Sequence, residues 1–143
     1  MLKRIKYISR FSRALSSEEV EELGRQAADK NQSLDITGVL MAGGGFFFQI
    51  IEGPKEAVDS IYDAIAADVR HQQVLLLATQ DGVRDRMFPG WAMKRVNLDR
   101  EANAHMETLR ALLPIAFEQR RQVDELTATI ERAIWQEFMT RAD

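Results

Sequence analysis

The chain contains no cysteine. Disulfides, thiolate metal sites and cysteine nucleophiles are therefore excluded together. Its two histidines, His71 and His105, are too few and too far apart to suggest a zinc cluster, and no metal site is expected. No apolar run approaches the roughly 18 residues that a membrane helix needs. The N-terminal Met1-Leu2-Lys3-Arg4-Ile5-Lys6-Tyr7 lacks the long apolar stretch of a signal peptide. Neither sign of charge dominates, with a net charge of -3 and an isoelectric point near 5.5. A basic face for nucleic acid is not implied. These absences lead to the expectation of a cytoplasmic chain with neither membrane nor nucleic acid as partner.

Catalytic fingerprints are missing as well. There is no nucleophile elbow, no Walker A loop and no glycine fingerprint between a strand and a helix. Gly43-Gly44-Gly45 joins two predicted strands, the wrong setting for a dinucleotide turn. Carboxylate pairs such as Glu18-Glu19 and Glu21-Glu22 fall on an exposed helix face and read as solvated.

What is present is an ordinary globular balance. Hydrophobic residues make up 45% and charged residues 29% of 143 positions, so folding is expected rather than disorder. The length suits one domain with an appendage. About two-thirds of the unfolded surface can be buried at this size, enough for a core without staples.

Alternation over residues 2–9 predicts a strand, with Ile5, Tyr7 and Ser9 on one face and Leu2, Lys6 and Ile8 on the other. Ser16 and Glu19 form the ends of a capping box. Val20, Leu23, Ala27 and Lys30 follow at helical spacing, and the helix is expected to stop near Asn31. Residues 36–41 and 46–51 read as strands of a hairpin around the glycine turn. Pro54 opens a second helix whose buried stripe is Val58, Ile61 and Ile65. Residues 74–78 read as a fourth strand, 80–89 as a polar loop and 91–96 as a short fifth strand.

The order β-α-β-β-α-β-β argues for an α+β sandwich, and its first four strands match the split βαβ, ferredoxin-like pattern. Phe46-Phe47-Phe48-Gln49-Ile50-Ile51 is apolar on both faces, so this strand is expected at the centre, covered on both sides. Two helices cover one face. Residues 98–143 are expected to cover the other, as a first helix with Met106, Leu109, Leu112 and Leu113 ended by Pro114. A second helix would carry Val123, Leu126, Ile130, Ile134 and Phe138.

Gln49 is the oddest residue, an amide inside a run of phenylalanine and isoleucine. A buried amide left unpaired costs roughly 1–3 kcal/mol, so it needs partners. On strand context alone, a glutamine bonded to backbone at a sheet irregularity is favoured slightly over a ligand contact. Tyr7 alone reads as a core tyrosine and Asn31 as a helix cap. Arg70 and His71 read either as a solvated helix end near the negative pole of its dipole or as an anion or carbonyl site with Asp68. Trp91 and Met93 share one face of the last predicted strand and suit core packing. The first and third strands of a split βαβ are neighbours, so Tyr7 and Gln49 can meet.

Taken together, five segments resemble the BLUF family of blue-light sensors that use FAD. They are Arg4-Ile5-Lys6-Tyr7-Ile8-Ser9; Asn31 with Ile36-Thr37-Gly38; Phe47-Phe48-Gln49-Ile50-Ile51-Glu52-Gly53; Asp68-Val69-Arg70-His71; and Phe88-Pro89-Gly90-Trp91-Ala92-Met93. They occur in family order over about residues 2–96. The resemblance implies a flavin-binding unit at residues 1–97 and a helical extension at 98–143. It implies FAD as cofactor, with FMN or riboflavin as stand-ins in recombinant protein. Tyr7 and Gln49 would be the photoactive pair and Trp91 or Met93 the relay. Leu23, Lys30, Asn31, Phe47, Ile65, Arg70 and His71 would contact the flavin. Asp35 departs from the family, which more often has glycine there.

No output enzyme follows residue 143, so the resemblance implies a sensor that is not itself an enzyme. Its signal would leave through a downstream protein or a homo-oligomer. Two alternatives stand beside this reading: a flavin-free ferredoxin-like interaction domain, and a small hydrolase of the acylphosphatase type. The second needs a phosphate cradle, which Phe11-Ser12-Arg13-Ala14-Leu15 does not resemble.

Overall fold

The computed structural model describes residues 1–100 and 103–139. The parts of the expected extension at 101–102 and 140–143 lie outside the described residues. Strand β1 (Leu2–Phe11) is followed by helix α1 (Ser17–Ser33), the hairpin β2 (Thr37–Gly43) and β3 (Phe46–Pro54), and helix α2 (Lys55–Ala66). Then come β4 (His71–Val83), the short β5 (Lys94–Asn97), helix α3 (Ala104–Ile134) and a π-helical turn at Trp135–Met139.

The strands form one sheet in the order β4-β1-β3-β2-β5. All pairs are antiparallel except β2 with β5. The ferredoxin-like core and the central place of β3 agree with the sequence. Because successive side chains alternate across a strand, Ile5, Phe47 and Ile51 enter the core under α1 and α2. On the other face Ile8 joins Leu98, Leu113 and Phe117, with Phe46 and Phe48 against the same cluster.

Helix α1 begins as expected. The Ser16 side chain accepts from the Glu19 N–H, and the Glu19 side chain accepts from the Ser16 N–H. It ends later than expected, at Ser33, because Asn31 offers its carbonyl to the N–H groups of Leu34 and Ile36 rather than turning left-handed itself. Asp35 makes that turn, at φ 57°.

Three further expectations are corrected. The fourth strand spans His71–Val83, so residues 80–83 are strand rather than loop. It stays paired with β1 through three register irregularities, which blur a period-two pattern. The fifth strand starts at Lys94, leaving Trp91 and Met93 in the segment before it.

The C-terminal segment is one helix of 31 residues rather than two. Pro114 is exposed, so the backbone carbonyl it leaves unpaired can be met by solvent. Only the first half of α3 lies on the sheet, through Met106, Leu109, Leu113, Ala116 and Phe117. The Arg10 guanidinium lies 4.6 Å from the Phe117 ring centroid and adds a cation–π contact there. Val123, Leu126, Ile130, Ile134 and Phe138 were expected to cover the sheet, yet they are 51–67% exposed.

Candidate functional site

Tyr7 on β1 pairs with Gln49 on β3, directly across the ladder. Both side chains point toward α1 and α2 and are buried. The Tyr7 hydroxyl donates to Gln49 Oε1 at 2.5 Å, and Gln49 Nε2 reaches Met93 Sδ at 3.3 Å. The amide is thus satisfied by side chains, not by backbone at an irregularity. Burial pushes the Tyr7 phenol well above its ordinary value of 10, with Tyr62 and Asp68 adding to the rise. Tyr7 therefore holds its proton in the resting state, and Gln49 is where that proton is directed.

Beside this pair a cleft of about 270 Å³ opens between α1 and α2. Its apolar walls come from Leu23, Ala27, Leu40, Ile61 and Ile65, and its polar groups from Gln49, Asn31, Lys30, Arg70 and His71. The amphipathic pattern of the two helices contributes to this: Val20 and Leu23 of α1 and Val58, Ile61 and Ile65 of α2 pack in the same core against the sheet. Asn31 is buried, and its Nδ2 also reaches the Ala92 carbonyl at 3.4 Å.

The polar rim is ordered by charge. Arg70 donates through Nε to Asp68 Oδ1 at 3.0 Å and through Nη2 to Oδ2 at 2.6 Å. This forked contact holds the Asp68 carboxyl below its ordinary range. Burial pushes the His71 imidazole down to about 4, so it is neutral at neutral pH. Its Nδ1 lies 2.6 Å from Ser9 Oγ.

Leu23, Lys30, Asn31, Ile65, Arg70 and His71 thus line one cleft with Tyr7 and Gln49. Phe47 does not line it. It is fully buried beneath His71, ring centroids 4.7 Å apart. Trp91 is 43% exposed and stacks on Phe88 outside the cleft, whereas Met93 is buried. Of the two relay candidates, the structure brings only Met93 to Gln49. Gln26, Ala27, Leu40, Ile61 and Ala64 complete the lining without having been singled out as ligand contacts, together with Asp68, which the sequence reading places with Arg70 and His71. For Ile61 and Ala27 the signal was their helical spacing with Ile65 and Leu23.

The site fits a flavin. Its volume is close to the lower bound of about 300 Å³ for small-molecule sites, enough for a flat ring with a polar tail left at the rim. The apolar side chains of Leu23, Ala27, Leu40, Ile61 and Ile65 suit the faces of such a ring, and the amides of Asn31 and Gln49 suit its carbonyl edge. The family described as "Sensors of blue-light using FAD" matches residues 2–94.

The chain belongs to the BLUF family. As a BLUF domain it is a photosensory module that binds flavin. It is similar to a bacterial light-regulated adenylyl cyclase of known structure, 41% identical with a TM-score of 0.79, over 87% of this chain and 36% of that one. It also resembles the dark-state structure of the BLUF protein BlrB, 31% identical with a TM-score of 0.66, over 96% of this chain and 97% of that one. Among curated proteins, the photoactivated adenylate cyclase subunit beta of Euglena gracilis is 33% identical over 100 residues. That match covers 68% of this chain but 12% of the cyclase subunit. Among the described residues no helix is long and apolar enough to cross a membrane.

Proposed function

We propose that this BLUF domain senses blue light with FAD held between α1 and α2, and that Tyr7 and Gln49 are its switching pair. The observation that carries the reading is the 2.5 Å bond from the Tyr7 hydroxyl to Gln49 Oε1 at the wall of the cleft. Leu23 and Ile65 would hold the ring faces, Asn31 would orient its carbonyl edge, and Lys30, Arg70 and His71 would meet the polar rim. Phe47 supports His71 from below.

A bound flavin would supply the blue absorption and a one-electron acceptor. Tyr7 is the donor this chain offers beside the cleft, and its Oη proton moves to Gln49 Oε1. Burial keeps water from competing for the proton. Electron and proton both return to Tyr7, so no net oxidation remains. Gln49 is left with its donor and acceptor ends exchanged, by rotation or tautomerisation. In either case the present donation from Nε2 to Met93 Sδ is altered, and the Met93 sulfur must repack.

The sensor unit is residues 1–97, and the extension from 98 carries the signal to a protein partner. The apolar stripe at Val123, Leu126, Ile130, Ile134 and Phe138 is exposed. Exposed contiguous apolar surface marks an interaction site, and a second copy of the chain is the partner proposed for it.

The test is an absorption spectrum of the purified protein in the dark and after blue light. Flavin bands that shift to the red under illumination and recover in the dark support the proposal. A flavin-free preparation after loading with FAD, or bound FAD without a reversible shift, overturns it.

A further inference from the structure

Glu52 is fully buried on the sheet face opposite Gln49. A carboxylate in that position needs donors on both oxygens. It has them: Arg4 Nε at 3.0 Å and the Met87 N–H at 3.0 Å on Oε2, and the Phe88 N–H at 2.7 Å on Oε1. Thr37 Oγ1 lies 3.5 Å from Oε1. Arg86 reinforces the same spot, donating to Thr37 Oγ1 at 2.8 Å and to the Glu52 carbonyl at 3.4 Å. Two consecutive amides of one segment are thus fastened to a single side chain of the central strand.

That segment continues to the cleft. Phe88 stacks on Trp91 with ring centroids 5.2 Å apart, and the Trp91 carbonyl accepts from the Gly38 N–H at 3.0 Å. Gly38 permits a tight edge there, since a Cβ would lie 1.9 Å from the Ile50 carbonyl oxygen. Two residues later Met93 is buried against Gln49. Residues 84–93 therefore form a strap that starts on Glu52's face, rounds the β2 edge and ends on Gln49's face.

We propose that Glu52 is a positioning residue of the switch: by clamping the Met87 and Phe88 amides it sets the strap and so seats the Met93 sulfur against Gln49 Nε2. The proposal rests on the reading of Gln49 as the switching amide, but concerns the geometry of the dark state. Loosening the clamp changes how readily Gln49 gives up and regains Met93, and leaves the flavin cleft intact.

The test is Glu52→Gln in the full chain, alone and combined with Met93→Leu. Glutamine offers one acceptor oxygen where the carboxylate offers two, so at least one strap amide loses its partner. Three quantities are measured: hydrogen exchange at the Met87 and Phe88 amides, the Met93 methyl resonance in protein labelled with 13C at methionine methyls, and the dark-recovery rate after a blue pulse.

The expected result is faster exchange, a shifted Met93 methyl signal, unchanged flavin content, and recovery altered roughly threefold or more. In the Met93→Leu background the effect on recovery should largely vanish, because coupled residues are not additive. An equal effect in both backgrounds, or loosened amides with an unmoved Met93 signal, overturns the proposal. If Glu52→Gln does not fold, Met87→Pro removes one strap donor while leaving the Glu52–Arg4 pair, and the same outcomes apply with exchange read at the Phe88 amide alone. A wild-type protein that binds flavin but does not photoswitch would sink the switch reading, and the methyl and exchange measurements would still decide the clamp.

Discussion

Tyr7 and Gln49 stand directly opposite each other across the β1–β3 ladder, with the hydroxyl 2.5 Å from the amide oxygen. The partners are 42 residues apart in sequence, and two extended backbones hold them in register. Their separation is fixed by the sheet more than by the cleft, so substitutions that keep the strands should remove the chemistry without removing the pocket.

Tyr7→Phe is accordingly expected to keep flavin and lose the reversible red shift, because phenylalanine has neither the hydroxyl nor an easily oxidised ring. Gln49→Leu fills much of the same volume but cannot exchange hydrogen bonds, and should also fail to switch. Illuminated-minus-dark spectra of both variants check this; a normal photocycle in either removes that residue from the mechanism.

Phe117 is fully buried between α3 and the sheet. Phe117→Ala should cost about 3–5 kcal/mol of stability and loosen the docked half of α3. Chemical denaturation gives the number. A loss within the range of an exposed substitution, about 0.5 kcal/mol, would show that the docked half contributes little.

Two truncations separate the halves of α3. Ending the chain after Val96 should expose the Phe46 and Phe48 face and cause aggregation or a loss of several kcal/mol, consistent with the apolar area uncovered. Ending it after Arg121 keeps Leu113 and Phe117, and should leave stability nearly unchanged while abolishing self-association. Light scattering and melting curves report both. Full self-association after the second cut would mean that the exposed stripe is not the contact.

The unfolded His71 takes up its proton near pH 6.5 and the folded one only at about 4. Between those values the unfolded chain binds more protons, so stability falls as pH drops through that window and levels off below it. His71→Gln should flatten this part of the curve. Denaturant midpoints between pH 7 and pH 4 test it, and an equal slope in the variant would assign the effect to other groups.

Asp35 holds φ 57° and pairs with Arg86, Nη2 to Oδ2 at 3.0 Å. The pair is exposed on the Asp35 side, so it is worth at most about 1 kcal/mol. Asp35→Gly relieves the backbone and retains the bond from Arg86 to the Asp35 carbonyl, for a net change within about 1 kcal/mol. Asp35→Val should be the more destabilising, because a β-branched side chain fits the left-handed region worse than aspartate does. Equal melting temperatures for the two variants would contradict the strain argument.

Local pattern determined the elements whose side chains alternate or recur cleanly. The capping box at Ser16 and Glu19, the hairpin around Gly43–Gly45, the two-sided apolar strand at Phe46–Ile51 and the stripe of α2 all follow from periods of two or 3.6 residues. The Tyr7–Gln49 pairing followed from topology together with the family resemblance of the segments around it. Tertiary structure alone decided the rest. The bulged pairing of β4 with β1 turned an apparent loop at 80–83 into strand. Docking of Leu113 and Phe117 on the sheet carried α3 through Pro114. The strap from Glu52 to Gln49 chose Met93 over Trp91 as the inner residue, although both lie in one short motif. In each case the deciding energy comes from contacts between residues distant in sequence, which no local pattern records.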